Sequence, residues 1–280
     1  MNAMTKISFE FFPPNTPEGL TRLTQVAKDL EAAVHPEYFS VTYGAGGSTQ
    51  DKTLAAVRML INNGHKVVPH VSCLGASEAT IRQLLDGYLA LGCDRIVALR
   101  GDLPSGMLQG GQFRYAADLV QFVRLHYGKQ FVIEVAAYPE VHPQSNNAGT
   151  DFAAFCAKLK AGSDSAITQL FYNADAYFDF VQRVRAAGFD TPIVPGIMPI
   201  HNFSKIRRFA DGCGAELPRW LIKQMEVLGD DEAAVQALGT KVMVSMCQRL
   251  VDAGAPALHF YTLNKAELSL GILERVVLHK

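Results

Sequence analysis

Apolar positions along this chain recur with two periods that take turns: short β-rich runs of four to eight residues, then longer stretches with apolar residues three and four apart. The first run, Ile7-Ser-Phe-Glu-Phe-Phe12, is ended by Pro13 and Pro14, as a strand followed by a turn should end. Thr16-Pro17 then starts a helix whose Leu20, Leu23, Val26, Ala27 and Leu30 fall on one face. Further strands are predicted at residues 38–42, 67–73, 95–99, 131–137, 165–170, 192–197 and 257–262. The intervening periods predict helices at 51–61, from 77–78 to near Gly92, and at 116–127, 151–160 and 177–187. Three helices (203–210, 218–228, 231–253) fill the long interval before the last strand, and a final helix starts at Lys265. Eight strands, each followed by helix, predict parallel pairing with right-handed crossovers. At 280 residues that pattern fits a (β/α)8 TIM barrel in the α/β class, a single domain over 1–280 with extra helices at about 203–255. An open doubly wound sheet is disfavoured because no G-x-G-x-x-G follows the first strand.

Composition narrows the function classes. Hydrophobic residues make up 49% of the chain, so most of them must be buried. A formal net charge of −1 argues against a nucleic-acid partner or a membrane surface. No apolar run is long enough to span a bilayer, and residues 1–6 lack the features of a signal peptide; Met4 is an alternative start. Five scattered cysteines without a C-x-x-C pair read as reduced thiols of a cytoplasmic protein and supply no zinc site.

In a barrel, the carboxyl ends of the strands converge on one site. Here they carry Glu10, Thr42, Tyr43, His70, Arg100-Gly101-Asp102, Tyr138 with Glu140 and His142, Gln169, residues 198–203, and Tyr261-Thr262. Glu10 lies among Phe9, Phe11 and Phe12, and an unpaired charge is expensive to bury. Such a carboxyl is expected to hold its proton and act as an acid; pairing with an arginine or exposure at the strand end are the alternatives. No lysine falls within the predicted strands, so a Schiff-base mechanism has no nucleophile, and no nucleophile elbow is present. Glu140 and His142 could join Glu10 or Asp102 around a metal, but no tight spacing demands one, and none is expected. The glycine-rich loop at 44–47 could cradle phosphate, or be an ordinary βα turn. Tyr43, Tyr138, Phe171 and Phe203 could pack on one another or bracket a planar ring.

Seven strings occur in order from the first strand to the last: Phe9-Glu-Phe-Phe-Pro-Pro14, Val41-Thr-Tyr-Gly-Ala45, Ala98-Leu-Arg-Gly-Asp102, Ala137-Tyr-Pro-Glu-Val-His-Pro143, Ile167-Thr-Gln169, Val194-Pro-Gly-Ile197 and His259-Phe-Tyr-Thr-Leu-Asn264. Together they resemble methylenetetrahydrofolate reductase, in its short bacterial form without the regulatory domain of eukaryotic members. The resemblance implies a homo-oligomeric flavoprotein of one-carbon metabolism and methionine biosynthesis. It would hold FAD non-covalently, take hydride from NADH or NADPH, and reduce 5,10-methylenetetrahydrofolate to 5-methyltetrahydrofolate by ping-pong kinetics. By matching motif, Glu10 would be the acid that opens the folate ring, and Asp102 would tune the flavin and support the iminium cation. Thr42, Tyr43, His70, Leu99, Arg100, Gly101, Asp102, Tyr115, Ala116, Tyr138, His142, Asp151 and Lys158 would contact the cofactor. Gln169, Phe203, Tyr261 and Lys265 would join Glu10 and Asp102 around the substrate. The chain departs from the family pattern at Ala154 and Ala157, where Asn and Arg are expected beside the flavin diphosphate, and at Lys265, where arginine is expected. The rivals are another FAD-dependent barrel of proline dehydrogenase type, a non-catalytic folate- or flavin-binding barrel, and a metal-dependent lyase. The first would need an arginine pair near strand eight, which is missing.

Overall fold

The structure is a computed structural model that describes residues 5–43, 50–101 and 111–278. Alternation of strand and helix holds throughout: β1 (Lys6–Phe11), α1 (Pro17–Val34), β2 (Tyr38–Val41), α2 (Gln50–Asn62), β3 (Val67–Ser72), α3 (Glu78–Ala90), β4 (Arg95–Leu99), α4 (Ala116–Tyr127), β5 (Val132–Ala137), α5 (Ala148–Lys160), β6 (Ser165–Thr168) and α6 (Ala174–Ala186). The carboxyl-terminal part holds β7 (Ile193–Val194), β8 (Gly196–Ile197), α7 (Phe203–Cys213), α8 (Arg219–Leu228), α9 (Glu232–Asp252), β9 (Ala257–Tyr261) and α10 (Ala266–Leu273). Among the described residues, no helix is long and apolar enough to cross a membrane.

All strand pairs are parallel, in the order β7-β6-β5-β4-β3-β2-β1-β9-β8. The two edge strands are one predicted strand cut at Pro195, so nine strands stand where eight were expected. Proline cannot donate to a ladder, and the ladder changes sides there. Val194 pairs with Ile167 of β6, while Ile197 pairs with Phe260 of β9. At the break the Pro195 carbonyl accepts from His259 N (3.1 Å), and Gly196 N donates to Thr168 Oγ1 (2.9 Å). A Cβ on Gly196 would come within 2.2 Å of the Thr168 carbonyl, so the barrel closes through a residue without a side chain.

Side-chain caps mark the starts of α1, α3, α5, α6, α7 and α9. Thr16 accepts from Gly19 N ahead of α1, with Pro17 in the first turn. Asn147 and Asn173 cap α5 and α6, which begin three residues before the predicted 151 and 177. Period-two alternation sorts the strand residues into two cores. Ile7, Phe9 and Phe11 face outward and pack with Leu23, Ala27 and Leu30 of α1. Inside the barrel a smaller apolar layer draws Tyr38, Val68, Val97, Ile167, Val194 and Ala257 from six strands. Lys6 is the first residue of β1, outside the predicted strand; its ammonium pairs with Glu37 at 3.0 Å, at the end opposite Glu10.

Candidate active site

Alternation turns Ser8 and Glu10 to the lumen, away from the phenylalanines that flank them in sequence. The apolar surroundings expected for Glu10 are therefore not supplied by Phe9 and Phe11, and Phe12 is 41% exposed. The Glu10 side chain is 13% exposed, and its Oε2 lies 3.5 Å from His70 Nε2 and 3.9 Å from His259 Nε2. No arginine or lysine pairs with it among the described residues. Burial pushes the His70 imidazole down to about 4, against the pull of the Glu10 charge, so this ring is uncharged at neutral pH. His259 is fully buried, and its Nδ1 shares a 2.7 Å hydrogen bond with Ser8 Oγ. Neither imidazole Nε2 has a hydrogen-bond partner among the described residues.

His70 stands at a strand end and is visible in the sequence as a candidate; Ser8 and His259 are not. The signal was the two-residue spacing of Ser8 and Glu10; the missing fact was the register, which sets Ser8 opposite His259 and Glu10 opposite Tyr261. Tyr261 spends its hydroxyl on the Thr168 carbonyl (2.6 Å), and burial raises it well above the usual phenol range. Gln169 accepts from Leu170 N (2.9 Å) and is part-buried. Phe203, also part-buried, is the first residue of α7 and packs against the main core. Lys265 is exposed ahead of α10, and its charge adds to the burial that lowers His201. Thr42 donates its N–H to the Phe11 carbonyl (3.0 Å), and Tyr43 stands beside it, half-buried.

Beside this ring a cavity of about 690 Å³ opens between β4, β5, α4 and α5. Its wall contains Leu99, Arg100, Gly101, Tyr115 and Ala116 from the β4–α4 side. Tyr138, His142, Asp151 and Lys158 come from the β5–α5 side, with Ala154 and Ala157. Thr42, Tyr43 and His70 are not part of that wall. Lys158 Nζ donates to the Ala136 carbonyl at 2.5 Å, and burial lowers the ammonium to about 8 although the Asp151 charge opposes the shift. Arg100 is fastened to Gln144, and His142 N and Ser145 Oγ donate to Asp151 (3.3 and 3.0 Å). Tyr138 and His142 rings meet edge to face at 4.5 Å. Gly101, with φ of 89°, leaves no room for a side chain, since a Cβ would lie 1.9 Å from Ser72 Oγ. Glu140 is turned elsewhere, accepting from Glu216 N at 2.8 Å. No group of three or more His, Cys, Asp or Glu among the described residues could hold a metal ion. Asp102 and the loop at 44–48 lie outside the described residues.

The profile of the family described as methylenetetrahydrofolate reductase matches residues 1–277. The chain belongs to the methylenetetrahydrofolate reductase family. It is 38% identical to the 5,10-methylenetetrahydrofolate reductase of Escherichia coli K12 over 267 residues, covering 95% of this chain and 88% of that one. It is 39% identical over 283 residues to a probable methylenetetrahydrofolate reductase (NADH) of Oryza sativa subsp. japonica, covering 96% of this chain and 48% of the plant protein. In fold it is similar to a Clostridium thermocellum protein described as binding two copies of 5-methyl-5,6,7,8-tetrahydrofolic acid: TM-score 0.66 at 16% identity, over 97% of this chain and 94% of that one. Dihydropteroate synthase of Thermus thermophilus follows at TM-score 0.51 and 12% identity, over 98% of this chain and 94% of that one. The Clostridium thermocellum and Thermus thermophilus proteins share the architecture of this chain.

Proposed function

We propose that this chain reduces 5,10-methylenetetrahydrofolate to 5-methyltetrahydrofolate, with NADH or NADPH as hydride source and FAD as the bound carrier. The observation that carries the reading is the situation of Glu10: a part-buried carboxyl at the mouth of the barrel, faced by two imidazoles and, among the described residues, by no paired cation. An arginine or lysine at that distance would hold the group as a carboxylate. An uncharged imidazole such as His70 can hydrogen-bond either protonation state, which leaves the carboxyl free to exchange a proton with substrate.

The cleft beside it suits an anionic dinucleotide. Arg100 from the β4–α4 side and Lys158 from the β5–α5 side offer cationic donors, and Thr150 and Asp151 place the first turn of α5 on the same cavity. Ala154 and Ala157 add no polar group there. When bound, FAD supplies the redox chemistry, accepting hydride from the nicotinamide and yielding it to the folate. In our reading Glu10 donates the proton that accompanies cleavage of the folate ring carbon–nitrogen bond, Gln169 hydrogen-bonds the pterin, and Phe203 stacks on the planar substrate. Tyr261 and Lys265 complete the substrate side. Asp102 is assigned, by motif, to stabilise the iminium cation formed on ring opening.

Glu10→Gln keeps shape and hydrogen bonding but has no proton to give. Stopped-flow measurement of the two half-reactions separates its roles. The folate half-reaction should fall by about 10²–10⁴-fold, the usual contribution of a general acid, while reduction of the flavin by the nicotinamide stays near wild type. Equal slowing of both would make Glu10 a structural residue. Heat-released cofactor should co-elute with FAD; release of FMN would overturn the cofactor assignment.

A further inference from the structure

The carboxyl end of β1 is held by side chains in addition to its ladders with β2 and β9. Asn264 meets Phe12 through both ends of its amide: Oδ1 accepts from Phe12 N (2.9 Å), and Nδ2 donates to the Phe12 carbonyl (2.9 Å). A primary amide here imitates one residue of a β-ladder, just past the last paired residue of the strand. Thr262 Oγ1 donates to the Glu10 carbonyl (2.7 Å) and accepts from Asn264 N (3.1 Å), tying the two grips together. From the other flank, Thr42 N donates to the Phe11 carbonyl (3.0 Å). Three successive carbonyls, those of Glu10, Phe11 and Phe12, are each fixed by a different donor.

This arrangement carries a backbone cost. Leu263 and Asn264 have φ of 53° and 57°, consecutive left-handed residues without glycine. Asparagine tolerates that region, whereas leucine does not do so readily. A connector that had only to join β9 to α10 could use glycine at both positions and avoid the strain. The left-handed pair brings the chain back so that the Asn264 amide reaches Phe12, two residues beyond Glu10. Local strain of this kind collects where geometry matters to function.

We infer that Asn264 and Thr262 are positioning residues: they form a clamp that sets where β1 ends and so where the Glu10 carboxyl points. The inference rests on the reading of Glu10 as the acid of the folate half-reaction. The same loop leads directly into Lys265, whose N–H donates to the Thr262 carbonyl (3.0 Å), so the acid and the assigned substrate lysine share one support.

Asn264→Gly removes both amide contacts while suiting the left-handed backbone, and Thr262→Val removes the hydroxyl at near-constant volume. Each should slow the folate half-reaction about tenfold, the rate equivalent of one or two ordinary hydrogen bonds, and leave nicotinamide-driven flavin reduction within about twofold. Thr262→Ser should restore the folate rate. Hydrogen–deuterium exchange of the peptide containing Phe12 should quicken in Asn264→Gly, a readout independent of turnover. In the Glu10→Gln background, Asn264→Gly should cost nothing further, because the group it aims is gone. Leu263→Gly, which relieves strain but keeps the amide, should behave as wild type. If Asn264→Gly slows both half-reactions alike, or neither, while Glu10→Gln is selective, this inference alone fails. If Glu10→Gln itself slows both equally, the parent reading fails and takes this one with it.

Discussion

Two glutamates point into the same barrel, and their surroundings are opposite. Glu134 of β5 is 2% exposed and saturated: Tyr38 Oη donates to it at 2.7 Å, Ser165 Oγ at 2.9 Å, and the Arg95 guanidinium lies 3.7 Å away. Arg95 in turn stacks over the Tyr38 ring at 5.0 Å. Glu10, on the lumen side of β1, has imidazoles at 3.5 and 3.9 Å, each with an Nε2 that no described residue hydrogen-bonds. A buried carboxylate that serves the fold is surrounded by donors and a counter-charge, because an unpaired charge is costly. One that is to exchange a proton must forgo the counter-charge. Residue type alone thus says little; the difference is in what the neighbours leave unsatisfied.

The largest effect expected from breaking that contrast is on Glu134. Glu134→Ala leaves Arg95 to Glu37 but strands Tyr38 Oη and Ser165 Oγ, and each buried polar group left without its partner typically costs about 1–3 kcal/mol. Urea unfolding should therefore show a large loss of stability, where Glu10→Gln acts on turnover instead. A Glu134→Ala variant as stable as wild type would mean the network is not structural.

Much of this was legible in the chain, and the exceptions have physical causes. The change of period from two to 3.6 announced the barrel, because a half-buried strand and a helix cannot share an apolar pattern. Residues 192–197 read as a single strand because they are uniformly apolar; Pro195 was the mark of the break, and only the register shows that its two halves pair on opposite sides. Glu10 drew attention through its phenylalanine neighbours, yet adjacent residues of a strand face opposite ways. Its true neighbours come from β3 and β9, at sequence distances that no local pattern spans. Asn264 stayed unread for the same reason: it grips Phe12 across 252 residues.

His70 sharpens the comparison through pH. Burial lowers it to about 4 from an ordinary 6.5, so the folded protein binds fewer protons there than the unfolded chain. A group depressed in this way contributes stability that is fully present above 6.5 and is lost as pH falls toward 4. The shift amounts to about 3 kcal/mol at most. His70→Gln cannot titrate, so its apoprotein should lose about that much less stability over the same window, measured by urea unfolding at pH 7 and pH 4. Parallel curves would mean that His70 takes up its proton without penalty, and that Glu10 faces a cation whenever it does.

Lys158 gives the smallest effect, and it tests whether the charges near the barrel mouth await a ligand. Its ammonium is lowered to about 8 by burial, with Asp151 opposing the shift and Arg100 adding to it. The charge at the other end of the barrel needs no such completion, since Arg95 already lies between Glu134 and Glu37. An anion placed against Lys158 favours its protonated form, so binding and protonation reinforce each other. Affinity for FAD should be highest below pH 8 and should weaken as pH rises through that value and the ammonium is lost. A charge-assisted contact is typically worth about 1.5–3 kcal/mol, or roughly tenfold to a hundredfold in dissociation constant. Titration of the apoprotein with FAD from pH 6.5 to 9.5 should follow that fall, and Lys158→Gln should bind more weakly and show little pH dependence. A wild-type affinity that stays level across pH 8 would remove Lys158 from the diphosphate site and leave that role to Arg100 on the β4–α4 side.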